Sequence, residues 1–514
     1  MNMLSNTCGD YRRCVRLLRG TFSPSLVVIL AIFFSYCVPA HADEPILDKL
    51  PFNRPSLAAL QASDHKACAV WHVWRPSMDN KPSASDLYET QEMNPNGHKG
   101  QYYGVGGRMR ERPLPRPVSS DPHWRIRDME AEVDRGAAIG LDCFFLSICT
   151  IDKGTVCWDQ LQDLLVATNN RNNGFKVMPM MDVASLMGGK KTSAQVAQAI
   201  ATIASNPALM RDKSGRMYIS ATNGDLAPVS WWLGIKSELA ARGVAASFVL
   251  TVQAYIKNKD TYLSFCDGLG TMGAGTPLSV SDVSDRVDDL HKQGKFYVTG
   301  IKPQDFRPYK GWYLEPNNSV LFRKVLTNAI DSGSDWLMFN SWNDRGESHE
   351  LAPSTGTQYS FYDLAAYYIT WFKTGAPPPI VRDVLYYFHR IMWTNTPFDA
   401  TKQTAAFFIH PSENKQPPMN EIELLAVLQS PGTLQIIING KTFSQNAPAG
   451  ITSFRVPLAV GKPLFRLVRN NTVKIATQSP FQIRNTTTWQ DLLYRGGSST
   501  RQVVDMVANP AVTN

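Results

Sequence analysis

The sequence predicts an α/β protein: a (β/α)8 barrel of the TIM type followed by a C-terminal β-sandwich. Three observations carry this expectation. Between residues 65 and 350, short and almost wholly apolar runs alternate with amphipathic ones. Strands of a parallel sheet covered by helices on both faces read in this way. Eight such runs fall within about 285 residues, the size of this barrel. Beyond residue 379 the pattern turns to strand-like alternation broken by turn signals, as in a sandwich. A doubly wound open sheet is the alternative for the first part, because periodicity does not register closure.

The elements follow in order. Strand candidates are 67–74 (ACAVWHVW), 141–148, 175–182, 217–221, 247–254, 268–273, 295–301 and 335–341. Helix candidates lie between them at 127–139, 158–168, 193–203, 230–241, 281–293 and 321–331. A last helix over 361–372 ends at Gly375 and is stopped by Pro377, Pro378 and Pro379. Sandwich strands are expected at 384–388, 422–429, 433–438, 453–457 and 464–468, separated by turns such as Ser430-Pro431-Gly432 and Asn439-Gly440. The long connection 76–123 after the first strand would lie on the C-terminal, active-site face of a barrel. Its Gly104-Val105-Gly106 lacks the flanking strand and helix of a dinucleotide fingerprint. Its Arg/Pro run 108–117 reads as a solvated extended segment. The expected division is a signal peptide at 1–42, a lead-in at 43–64, the barrel at 65–378, the sandwich at 379–488 and a tail at 489–514.

The leader reading rests on Arg12, Arg13, Arg16 and Arg19 ahead of the apolar run 25–40, with Ala40-His41-Ala42 as a small-x-small cleavage pattern. Cleavage after Ala42 would send the chain out of the cytoplasm, to a secreted or periplasmic location. It would also lower the net charge from +8 to +5, a mild value that does not call for a nucleic-acid partner. No later segment approaches the ~20 apolar residues of a membrane span. Hydrophobic residues are 43% and charged residues 19% of the chain, which excludes a disordered acidic chain and a coiled coil. Five cysteines follow the leader. Cys149 and Cys157 are spaced to clip a loop, whereas Cys68 and Cys143, inside apolar runs, read as buried free thiols. There is no zinc-type Cys/His spacing.

Several strand ends carry polar residues that a packed core does not need: His72 and Arg75, Ser147, Asp182, Asn223, Gln253 and Tyr255, and Lys302. The richest end is the eighth, where 336–339 runs into Asn340-Ser341-Trp342-Asn343-Asp344-Arg345-Gly346-Glu347-Ser348-His349-Glu350. Asp344 and Glu347 are three apart with Gly346 between, and a tight turn would bring their Cα atoms within ~7 Å. Two carboxyl groups so placed can act as general acid and general base on a glycosidic bond. The same spacing also fits loop-capping acids paired with Arg345 and His349. Trp74 and Trp342, at strand ends, are candidates for stacking on sugar rings.

The segment 339–349 (FNSWNDRGESH) resembles the Trp-Asn-Asp-aromatic-Gly-Glu-Ser-His motif of glycoside hydrolase family 71, the mutanase-type α-1,3-glucanases. Val70-Trp71-His72, 137–148, 175–185, 295–303, 366–390 and 447–458 resemble further segments of that family, and together they span about three quarters of the chain after the leader. The resemblance implies a secreted endo-acting α-glucanase that needs no metal or other cofactor, acts on a polysaccharide and inverts the anomeric centre. It implies Asp344 and Glu347 as the catalytic pair, with Glu347 as acid and Asp344 as base. It also implies that His72, Asp182, Trp342, Asn343 and His349 line the subsites; Trp74 and Tyr255 join them from the strand-end reading. Two departures stand out: Arg345 replaces an aromatic residue and places a cation between the acids, and Thr222-Asn223-Gly224 stands where the family has an acid before Gly. Alternatives are an endo-hydrolase of another α-linked polysaccharide, such as an endo-α-mannosidase, and a non-catalytic glycan-binding protein.

Overall fold

Eight parallel strands close into a barrel in the computed structural model, which describes residues 46–411 and 416–501. The strands are β1 (Lys66–Trp71), β2 (Cys143–Ile148), β3 (Lys176–Asp182), β4 (Met217–Thr222), β5 (Ala246–Thr251), β6 (Gly268–Gly270), β7 (Phe296–Ile301) and β8 (Trp336–Phe339). Each pairs with its sequence neighbours, and β8 returns to β1 through the register Lys66↔Trp336 to Ala69↔Phe339. Closure removes both sheet edges. Every second residue points inward: Cys68, Val70, Phe145, Met178, Met180, Val249, Val298 and Met338 share one buried cluster. The alternate residues face the helices, so the strands are apolar on both sides, as the sequence pattern requires.

Helices fill the connections. Among them α1 (Leu57–Gln61) precedes β1, α2 (Trp124–Ala138) precedes β2 and α3 (Val156–Arg171) follows it. Trp71, on the outward face of β1, donates to Gln160 of α3 at 2.8 Å, and Gln160 in turn donates to the Val73 carbonyl. The helix Ser360–Thr374 ends at Gly375 in the left-handed region (φ 78°), as expected of a glycine stop. The leader 1–42 lies outside the described residues. No helix among the described residues is long and apolar enough to cross a membrane.

The sandwich consists of two antiparallel four-stranded sheets. One has β9 (Val384–His389), β10 (Glu421–Leu428), β13 (Gly450–Pro457) and β16 (Arg495–Ser498); the other has β11 (Gly432–Ile438), β12 (Lys441–Ala447), β14 (Leu464–Arg469) and β15 (Thr472–Gln478). Their inner faces meet in a core of alternating residues such as Leu385, Tyr387, Leu424, Ala426, Leu434, Ile436, Phe465 and Leu467. Asn439 (φ 50°) and Gly440 (φ 72°) make the two-residue turn between β11 and β12, the geometry that Asn-Gly favours.

Three expectations need correction. Residues 489–501 are not a tail: β16 adds to β9 from Tyr386↔Ser498 to His389↔Arg495, and Gln490 to Ser498 are buried. The Arg/Pro run is not solvated either. Arg110, Glu111 and Arg112 are buried; Arg110 donates to the carbonyls of Gly106, Gly107 and Gln490, and Arg112 pairs with Asp86. Finally, Cys68 and Cys143 are bonded to each other; they are register partners on β1 and β2, with Cα atoms 4.7 Å apart. Cys149–Cys157 forms the expected clip, and Cys266 is free and buried, its thiol pushed up by burial.

The two disulfides close loops of very different length, 75 and 8 residues in separation. Chain entropy therefore predicts a loss of about 4.5 kcal/mol for Cys68→Ala/Cys143→Ala against about 2.5 kcal/mol for Cys149→Ala/Cys157→Ala. Urea unfolding midpoints of the two double variants check this; equal losses would contradict the loop-length account.

Candidate active site

The site is built by the chain leaving β8. Asn340 donates to the Ile301 carbonyl of β7 and Trp342 to the Val70 carbonyl of β1, so the strand's register continues past its end. Ser341 donates to the His349 carbonyl and Leu351 to the Ser341 carbonyl, which folds 341–351 back on itself. Asp344 closes the turn inside this loop. Its Oδ1 accepts from the backbone N–H of Gly346 (3.1 Å) and Glu347 (3.3 Å) and from the Trp74 indole N–H (3.2 Å). A Cβ on Gly346 would meet Asp344 Oδ1 at 3.2 Å, a tight contact that glycine avoids.

Glu347 stands beside it, and one ligand-type atom each of Asp344, Glu347 and His349 lies within 4.8 Å of the others. Glu347 Oε2 is 2.8 Å from His349 Nε2. Glu347 Oε1 accepts from the Arg307 guanidinium and, at 3.4 Å, from the Tyr309 hydroxyl. Burial alone would raise the Glu347 pKa. The hydrogen bond and charge of His349, then Arg307 and His72, outweigh it and hold the carboxyl below the usual range. Arg307 is itself fixed: Nε and Nη2 make a forked pair with the buried Asp305 (2.8 and 2.9 Å), and its guanidinium lies 4.5 Å over the Trp312 ring. These residues come from a small hairpin after β7, Phe306–Arg307 with Trp312–Tyr313, extended by Phe408–Ile409.

The expected site residues divide. His72 faces the pair, with Nε2 3.9 Å from Asp344 Oδ2 and its ring 6.3 Å from that of His349. His349 is buried between the carboxyls, and Trp74 is the indole donor to Asp344. Asn343 is not free for a ligand: its Oδ1 accepts from His72 N–H (2.7 Å), and its Nδ2 donates to the carbonyls of His72 and Trp74. It therefore clamps the end of β1 to the site loop. Trp342 is fully buried against Phe144, and its indole donates to Glu132 of α2 at 2.7 Å. It packs under the site and offers no face for a sugar. Asp182 caps the short helix Val183–Gly188 through Ser185. Tyr255 packs against Tyr297 and under Arg286 in the helical layer. Among the described residues neither Asp182 nor Tyr255 hydrogen-bonds to the acid pair.

Arg345 does not lie between the carboxyls as its place in the chain suggests. It is buried, donates to the Asn343 carbonyl, and its charge bears on Glu132, Glu350 and Tyr88. Sequence reasoning missed Asp305, Arg307, Tyr309 and Trp312. The signal was a polar-aromatic run directly after the seventh strand, of which only Lys302 was singled out. Asp344, Glu347 and His349 have a cation-site spacing, but Arg307 and His349 already engage both oxygens of Glu347. The trio is thus suited to handling a proton.

Two carboxyl groups stand over the C-terminal mouth of the (β/α)8 barrel, and His349 and Arg307 hold one of them, Glu347, below the usual carboxylate range. The family model of glycosyl hydrolase family 71 matches residues 118–494. The chain belongs to that family and is a glycoside hydrolase. A mutanase of Penicillium rubens is 23% identical over 394 residues, 70% of this chain and 82% of the mutanase. Among solved structures, the GH99 endo-α-mannosidase of Bacteroides thetaiotaomicron superposes with a TM-score of 0.46 at 13% identity, over 60% of this chain and 98% of that one. A glycosyl hydrolase family 2 member from Bacteroides cellulosilyticus gives 0.39 at 9% identity, over 81% and 46%.

Arg307→Gln removes one of the charges that hold Glu347 ionised. Its pKa then rises toward the ordinary glutamate value, so on acidification protonation sets in at higher pH. With Glu347 as the base, the role proposed below, the acid limb of kcat/KM, which reports the free enzyme, is expected to move upward in pH. A limb at the wild-type position would mean that the ion pair does not govern Glu347.

Proposed function

We propose that the chain hydrolyses α-linked glucan, with α-1,3-glucan as the polymer, through Asp344 and Glu347 acting on one glycosidic oxygen. The observation that carries this reading is the pair itself: two carboxyl groups three residues apart with oxygens within 4.8 Å at the barrel mouth. Family membership and the mutanase relative support the choice of glucan. Export is part of the proposal, supported by the leader pattern and by two disulfides, which persist in oxidising compartments.

The electrostatics favour one order of roles. Glu347, held as a carboxylate by His349 and Arg307, is the member suited to activating water. Asp344 is assigned the proton for the leaving oxygen; its Oδ2 lies 3.9 and 4.0 Å from the Nε2 atoms of His72 and His349. This reverses the order that the family resemblance implies.

An α-glucoside with an activated aryl leaving group, which departs without protonation, separates the roles. Asp344→Asn should lose about 10²–10⁴-fold on glucan yet keep most turnover of the activated substrate, whereas Glu347→Gln should lose both. The opposite pattern restores the other order. Turnover unaffected by either change removes the pair from the mechanism, and a wild type that binds glucan without cleaving it is a binding protein. Inversion predicts a β-configured first product from an α-glucan, followed by proton NMR at early times. It requires the pair to open from the spacing it has toward the roughly 6.5–9.5 Å that accommodates a water. An α-configured first product would mean that the carboxyls work at their present spacing.

A further inference from the structure

We propose that Arg108, carried by the long connection after β1, is a positioning residue that holds the hydrogen-bond donors of both catalytic carboxyls at once. The proposal rests on the reading of Asp344 and Glu347 given above. The guanidinium of Arg108 lies 4.8 Å from the centroid of the Trp74 ring, 5.6 Å from that of Tyr309 and 5.9 Å from that of Tyr102. Two of these rings serve the acid pair. The Trp74 indole N–H donates to Asp344 Oδ1 at 3.2 Å, and the Tyr309 hydroxyl donates to Glu347 Oε1 at 3.4 Å. One cation therefore sits on the two aromatic partners of two different carboxyls. Trp74 comes from the end of β1 and Tyr309 from the hairpin after β7, and the guanidinium spans them.

Arg108 is held for this place. Its backbone N–H and that of Met109 both donate to the Glu92 carbonyl, at 2.8 and 3.0 Å. The next Arg, Arg110, is buried and ties the loop to the Gln490 carbonyl at 3.1 Å. The side chain also pairs with an acid: Arg108 Nε lies 3.9 Å from Oε2 of the buried Glu92, an ion pair without a hydrogen bond, while Glu92 Oε1 faces His98 at 3.1 Å. The ion pair holds one side of the group, and the attraction of the cation for the ring faces seats it over them. A guanidinium on these rings restrains their tilt and polarises the N–H and O–H groups at their edges. Both effects strengthen the hydrogen bonds to Asp344 and Glu347.

Arg108→Met keeps the aliphatic stem and removes the cation. The expected result on α-glucan is a fall of about tenfold in kcat with KM nearly unchanged, and partial recovery in Arg108→Lys, whose ammonium still sits on the rings. Trp74→Phe keeps a ring and removes the donor. If Arg108 acts through Trp74, the double variant Trp74→Phe/Arg108→Met is no worse than the weaker of the two single variants, and Tyr309→Phe/Arg108→Met behaves alike on the Glu347 side. Additive losses in both cycles, or a change confined to KM, would overturn the proposal and make Arg108 a structural residue or a direct sugar contact. The lysine variant keeps the test open if Arg108→Met does not fold, because a kcat equal to wild type with altered KM there also refutes it. A wild type inactive on every α-glucan removes the functional reading, and this one with it.

Discussion

Two carboxyl groups with oxygens no more than 4.8 Å apart repel if both are ionised, by about 3–4 kcal/mol at an effective dielectric constant near 20. The groups around the site hold the two carboxyls in place at that spacing. Asp344 is held by two backbone N–H groups and an indole, all on Oδ1, so the turn of the chain itself fixes the carboxyl group. Glu347 has no such turn and is held instead by side chains from elsewhere: Arg307 and Tyr309 from the hairpin after β7, and His349 from two residues on. The two acids are thus held by different means, one by its own turn and the other by side chains from distant segments.

The supports are themselves supported. Arg307 would be free to rotate if it met Glu347 alone; its fork with Asp305 and its stack on Trp312 remove that freedom. Lys302 lies 3.2 Å from the same Asp305, so the anion is shared between two cations and buried without excess charge. On the opposite side Asn343 occupies the place of a strand partner for residues 72–74, which fixes Trp74 and His72 relative to Asp344. A rigid site is the expected result, since each contact residue is determined by a second contact.

The barrel and the sandwich were legible because their signals are local. Apolar runs of strand length, amphipathic runs between them and a Gly stop before three prolines need no knowledge of the partner strand. The acid pair was legible for the same reason, lying three residues apart on one loop. What was not legible depends on registers and loop paths. Nothing in the apolar runs around Cys68 and Cys143 says that they are direct neighbours, which only the parallel β1–β2 register decides. Trp342 and Trp74 both end a strand, yet one points into the helical layer and the other over the mouth. Arg307 is forty residues from Glu347 and marked by no spacing. The last strand, β16, reads as Arg-Gly-Gly-Ser; its place next to β9 comes from close backbone approach, where a Cβ on Gly497 would meet the Tyr387 hydroxyl at 2.1 Å.

The departure at position 345 shows why the pair tolerates a charge between its members. A guanidinium aimed into the mouth would compete with His349 and Arg307 for Glu347 and would neutralise Asp344. In this fold the loop turns Arg345 beneath the site, among Glu132, Tyr88 and the buried pair Glu111 and Glu350. Burial and the neighbouring Glu111 raise the Glu350 pKa well above its ordinary value, and the nearby charge of Arg345 opposes that rise. Glu111 belongs to the long first connection, the same segment that carries Arg108 over the mouth. That connection therefore meets the site from both sides: its buried acid lies near the cation below the turn of Asp344, and its half-buried Arg108 covers the rings above it. The segment that looks least like structure in the sequence, an Arg/Pro run without periodicity, is the one that joins the floor of the site to its rim.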